Sequence, residues 1–176
     1  MDTTTVGSVL SLIILLMVTV TPVAAGNNSA PAGIVSPASI LSYGKLFPVH
    51  AILMTLGFLL FVAAASFPVF RKGKPGWLGL HQILASAGTL ISITAFAIAY
   101  MMVGSSGGPH VRVPHAFLGI LAIVLILATF LLGFFRTRLK PYTIQAIAAH
   151  RWMGRLLLLL MAFAVVSGLF TAGLLN

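Results

Sequence analysis

The sequence predicts an all-α membrane protein, an up-down bundle of four core transmembrane helices behind an N-terminal signal peptide or extra helix. Three observations predict it. Of the 176 residues, 60% are apolar and 6% are charged, whereas a soluble domain carries about 25% charged residues; a soluble globular enzyme is therefore excluded. The apolar residues gather in long runs, which excludes a disordered chain. Four runs, residues 46–70, 77–103, 114–135 and 144–175, are each long enough to cross a hydrocarbon core, which takes roughly 20 helical residues.

Taken in order, residues 1–25 come first. They hold an apolar run at 6–20 followed by small residues, and Val23 and Ala25 fit a cleavage site after Ala25. This is the pattern of a secretory signal peptide, although Asp2 stands where Lys or Arg is usual; the alternative is an uncleaved fifth helix. Residues 26–43, rich in Asn, Ser, Pro and Ala, read as an extracytoplasmic linker. Residues 44–176 form the four-helix domain. Pro48, Pro68, Pro75, Pro109, Pro114 and Pro141 fall at or near its segment ends, where a missing N–H is tolerated.

Ten Lys and Arg stand against one acid, for a net charge of +9. The basic residues sit in short clusters between apolar runs, so they point to a lipid bilayer and not to nucleic acid. Arg71, Lys72, Lys74, Arg136, Arg138, Lys140, Arg151 and Arg155 fall on one side; Lys45 and Arg112 fall on the other. The positive-inside rule makes the richer side cytoplasmic, so the first core helix enters from outside and the mature N-terminus is extracytoplasmic. Trp77, Tyr142 and Trp152 then lie near the inner interface, and Tyr43 and Tyr100 near the outer one, as an aromatic belt requires. The chain has no cysteine, which excludes disulfides, thiolate metal sites and covalently attached haem.

Histidine inside a bilayer is expensive and marks function by default. His50, His81, His115 and His150 each lie near the N-terminal end of a different run, spaced by 31, 34 and 35 residues. Successive helices run in opposite directions, so His50 and His115 share the outer level, and His81 and His150 the inner. In an up-down bundle each pair sits on diagonally opposed helices and can face across the interior. Two opposed imidazoles are the axial ligands of a six-coordinate b-type haem, so these four residues are the expected cofactor-binding and iron-ligating groups of two haem b. A lone membrane histidine is as readily an interhelical hydrogen-bonding group, but four paired by depth are not. Met54 and Met153 are each one turn from a histidine of their own helix and cannot occupy the opposite axial position. The i+4 and i+7 neighbours of the histidines include Gly57, Ala85, Gly88, Gly119, Ala122 and Gly154; they leave room for a porphyrin or merely allow close helix packing. Lys45, Lys74, Arg151 and Arg155 can pair with haem propionates or simply anchor the interfaces.

Phe47-Pro-Val-His-Ala-Ile-Leu-Met, Trp77-Leu-Gly-Leu-His-Gln, His115-Ala-Phe-Leu-Gly-Ile and His150-Arg-Trp-Met-Gly-Arg-Leu-Leu-Leu-Leu-Leu resemble, in order and spacing, the four core helices of the cytochrome b561 family. The likeness covers about residues 44 to 172 and is strongest to the membrane portion found fused to DOMON domains; the linker is too short to hold such a domain. The resemblance implies that His50 and His115 hold one haem and His81 and His150 the other. Val69-Phe70-Arg71 only weakly echoes the basic motif of the ascorbate-using members, while Ala116-Phe117 loosely fits their third-helix pattern, so ascorbate does not follow as the donor.

The function expected is transmembrane electron transfer from a cytoplasmic reductant to an extracytoplasmic acceptor, as in a ferric-chelate or monodehydroascorbate-type reductase. Donor and acceptor are small molecules or proteins, and a homodimer or a redox partner subunit is compatible with the sequence. One alternative is a quinol-linked haem anchor subunit serving a partner protein. Another is a histidine-lined transporter without haem, which the absence of carboxylates from the four runs disfavours. His110 and Arg112 read as solvated loop residues or as guides for an anionic acceptor.

Overall fold

A computed structural model of the chain describes residues 43–71, 73–105, 110–111, 113–135, 138 and 140–173. The expected signal peptide and nearly all of the linker lie outside the described residues, as do Lys72, Arg112 and Arg136.

Four helices carry the structure: α1 (Tyr43–Phe70), α2 (Trp77–Ser105), α3 (Pro114–Phe135) and α4 (Thr143–Thr171). There is no strand among the described residues. The helices have 28, 29, 22 and 29 residues, so even the shortest rises about 33 Å at 1.5 Å per residue. All four are long and apolar enough to span a membrane. Their outward faces are apolar: Ile52 is 66% exposed, Ile144 80% and Phe163 67%. Such faces are stable against hydrocarbon, where the backbone polar groups are already paired within each helix. The protein is a multi-pass integral membrane protein.

Pro48 and Pro68 lie inside α1, near its two ends, as the sequence reading has them. Helix α4 stops at Thr171, short of the apolar run's end at 175, and Gly173 follows it with φ 72°, as a left-handed glycine does after a helix C-terminus. Pro114 opens α3 at its first position, where proline's fixed φ suits a helix start. The turn from α1 to α2 uses Gly73 and Gly76, at φ 91° and 78°.

Helices α1 and α2 pack closely together and α3 against α4 less so; contact between the two hairpins is sparser still. What joins them is a central cluster of Phe61, Ala122, Ile123, Ile126, Leu157 and Met161. Aligning the helices on their histidines shows a common register. The residue seven positions on is buried in every helix (Gly57, Gly88, Ala122, Leu157), as is the one eleven on (Phe61, Ser92, Ile126, Met161) and the one fourteen on (Ala64, Ala95, Thr129, Ala164). These offsets return to one helix face, so each helix presents the bundle with a histidine near its start and a small or apolar stripe beyond.

Candidate functional site

The structure brings the four membrane histidines into two pairs. The His50 and His115 ring centres lie 6.2 Å apart with planes at 81°, and those of His81 and His150 lie 6.1 Å apart with planes at 85°. Both pairs join one helix of the first hairpin to one of the second, as the bundle diagonal requires. All four rings are half-buried.

Each imidazole is held by its Nδ1–H. His50 donates to the Ala95 carbonyl at 2.9 Å and His81 to the Ala64 carbonyl at 2.8 Å. His115 donates to the Ala164 carbonyl at 2.9 Å, with Ser167 Oγ at 3.4 Å, and His150 to the Thr129 carbonyl at 3.0 Å. A carbonyl can only accept, so the proton is on Nδ1 and the lone pair is on Nε2. This is the tautomer a metal-ligating histidine needs, oriented by an outer hydrogen bond. All four acceptors stand fourteen residues beyond the histidine of their own helix. Each helix therefore supplies an imidazole to one pair and a carbonyl to the other, and the two levels are about 21 Å apart along the helices.

The separation within each pair has a simple chemical meaning. A metal–imidazole bond of about 2.0 Å, plus about 1.1 Å from nitrogen to ring centre, counted on both sides, gives about 6.2 Å. Both pairs match that width. Among the described residues no cluster of three or more His, Cys, Asp or Glu stands ready to hold a metal ion. An ion between two imidazoles would need its other ligands from a group that brings its own, which is what a porphyrin does. The His81–His150 pair also opens on a cavity of about 80 Å³, lined among others by Ala85, Thr129, Phe130 and Gly154.

The glycines divide into three roles, two of them the alternatives that the sequence left open. A Cβ on Gly119 or Gly154 would meet nothing within 4 Å; these two leave space beside His115 and His150. A Cβ on Gly57 would come 2.5 Å from Ser92 Oγ, and one on Gly88 would come 3.3 Å from the Phe61 ring; these two serve helix packing. Gly133 and Gly168 were not anticipated. A Cβ there would come 2.6 Å from His150 Cε1 and 2.9 Å from His115 Cε1 respectively, so both make room for an imidazole from the neighbouring helix. Their shared offset, eighteen residues beyond His115 and His150, was the available signal.

Thr129 Oγ1 and Ser92 Oγ are buried without a hydrogen-bond partner among the described residues. His110 is half-buried, not freely solvated: its ring stacks on Tyr100 at 4.2 Å and 27°, and its Nε2 is buried without a partner among the described residues. Lys45, Lys74, Arg151 and Arg155 are exposed, with Arg155 lying 5.0 Å from the Trp152 ring centre in a cation–π arrangement.

No curated protein and no solved structure matches the chain. The family model described as eukaryotic cytochrome b561 matches residues 49–175, a stretch containing all four paired histidines and every carbonyl that holds them. By that match the chain belongs to the cytochrome b561 family, membrane proteins whose helices carry haem-mediated electron transport.

Proposed function

We propose that the protein conducts electrons across the bilayer through two haem b groups, one ligated by His50 and His115 and the other by His81 and His150. The observation that carries this reading is the equal width of the two histidine gaps, 6.2 and 6.1 Å, together with the Nδ1–H bonds that put the lone pair of each ring on Nε2. Bound haem supplies a reversible one-electron couple; the protein sets its orientation and potential.

The chain's own residues do the rest. With an imidazole from each helix as ligand, a bound haem would keep no open position for oxygen. The apolar stripe between the levels, including Phe61, Ile126, Leu157 and Met161, excludes water from the path. Arg71, Lys74, Arg138, Lys140, Arg151 and Arg155 mark the His81–His150 end as cytoplasmic by the positive-inside rule. They also make that end attractive to an anionic reductant. Electrons leave at the His50–His115 end for an extracytoplasmic acceptor, a ferric chelate or an oxidised ascorbate-type acid. His110, stacked on Tyr100, would help to guide that acceptor. Lys45 at the outer level, and Arg151, Arg155 or Lys74 at the inner, are the cations available to haem propionates.

Vesicles containing the protein, with a ferric chelate trapped inside and an impermeant reductant outside, test the reading. The expected result is ferrous chelate formation that depends on protein and on all four histidines. Equal reduction in vesicles bearing a His81→Ala chain would overturn it.

A further inference from the structure

The four carbonyls that hold the histidines are not equivalent. In an α-helix the carbonyl of residue i already accepts from the N–H of residue i+4. By that helical pattern the carbonyl of Ala95 is paired with the N–H of Ala99, that of Thr129 with Gly133 and that of Ala164 with Gly168. The Ala164 carbonyl takes a third donor, Ser167 Oγ at 3.0 Å. Ala64 differs, because the residue four positions on is Pro68, which has no N–H to give. The Ala64 carbonyl is 2% exposed as a residue and sits at membrane depth, where an unpaired backbone acceptor is costly. Its partner is the His81 Nδ1–H, at 2.8 Å. Proline and histidine thus explain each other: the proline frees the acceptor, and the histidine satisfies it.

We propose that Pro68 is a positioning residue for the His81–His150 site, dedicating the Ala64 carbonyl to His81 and so making that imidazole the more electron-rich ligand. The proposal rests on the haem ligation argued above. A carbonyl not shared with a helical N–H is a stronger acceptor. It draws the Nδ1 proton further, pushes electron density onto Nε2 and favours the oxidised, more positive iron. Pro68 therefore lowers the midpoint potential of this site relative to what the same two histidines would give on an uninterrupted helix. Pro48 provides the internal comparison: it frees the carbonyl of Gly44, an exposed residue in the first turn of α1, where water can satisfy it.

Pro68→Ala restores an N–H at position 68, and alanine favours the helix, so the variant should fold. The full chain, purified with its haem, is titrated by spectroelectrochemistry beside Pro48→Ala. The same pair of substitutions in a His50→Ala chain, which keeps only the His81–His150 pair, assigns the component. The expected result is a rise in the midpoint potential of that one component in Pro68→Ala, an unmoved second component, and no such rise in Pro48→Ala. The ferric low-spin EPR signal of the same site should shift toward weaker axial donation. Unchanged potentials with two haems bound would overturn the role of Pro68 while leaving the ligation intact. An equal shift in Pro48→Ala would overturn it too, by showing a general effect of helix repair. Failure of the unsubstituted chain to bind haem would instead overturn the ligation itself.

Discussion

The two helical hairpins do the same job with different parts. Both place a histidine near the start of each helix and a buried carbonyl fourteen residues on. In α1–α2 the helices meet through Gly57, Gly88 and Ser92, and proline frees one of the carbonyls. In α3–α4 the glycines lie elsewhere: Gly133 and Gly168 sit directly under the imidazoles of His150 and His115, and Gly119 and Gly154 leave open space beside them. The matching positions in the first hairpin, Pro68 and Ala99, both carry a side chain. The difference teaches that a glycine on a histidine-bearing helix has no single meaning. What its missing Cβ would strike decides whether it serves packing, the ligand or the cofactor.

The largest effect that would break this comparison is expected at Gly133 and Gly168. Gly133→Ala puts a methyl 2.6 Å from His150 Cε1, and Gly168→Ala crowds His115 in the same way, so each displaces one ligand from its carbonyl. Lost outer-sphere support alone weakens a metal site about 10- to 100-fold. Each variant should therefore retain one haem of two, read by pyridine haemochrome stoichiometry; retention of both would remove the distinction between the hairpins.

Gly154→Leu comes next. Nothing stands within 4 Å of a Cβ there, and the residue lines the His81–His150 cavity. Helicity measured by circular dichroism should persist while that site's haem is lost. Gly57→Ala should behave oppositely. Overpacking against Ser92 costs about 1–3 kcal/mol, so its thermal midpoint in detergent should fall while both haems stay. Haem loss from Gly57→Ala at unchanged stability would show that this glycine serves the cofactor after all.

The smallest effect is expected at Thr129, which stands where the other three helices have alanine. The residue lines the cavity, and its buried hydroxyl, without a partner among the described residues, would favour the reduced state if it turned toward the cofactor. Thr129→Val should lower the potential of the His81–His150 site slightly and spare the other. Removing an unpaired buried hydroxyl should not reduce stability. Equal movement of both potentials would contradict this assignment.

Much of this was legible in the sequence because it rests on side-chain type and spacing. The four apolar runs located the helices to within about a turn, and strict alternation of direction put His50 level with His115 and His81 level with His150. What escaped was carried by the backbone. The acceptor carbonyls belong to Ala64, Ala95, Thr129 and Ala164, and three alanines announce nothing. Pro68 reads from sequence as a segment end; only the bond from His81 gives it a function inside α1. Gly133 and Gly168 lie too far along the chain from the histidines they accommodate for any i+4 or i+7 argument to reach them. Superimposing the four runs on their histidines would have exposed the fourteen- and eighteen-residue offsets.

The central claim is that two histidine pairs hold two haems independently. Its most direct test is a haem count on the purified chain by pyridine haemochrome, with a reduced-minus-oxidised spectrum, beside His50→Ala and His81→Ala. The account predicts two b-type haems per chain and one in each variant, with the surviving component different in the two. A chain made with ample haem supply that binds none, or variants that keep both, would contradict it.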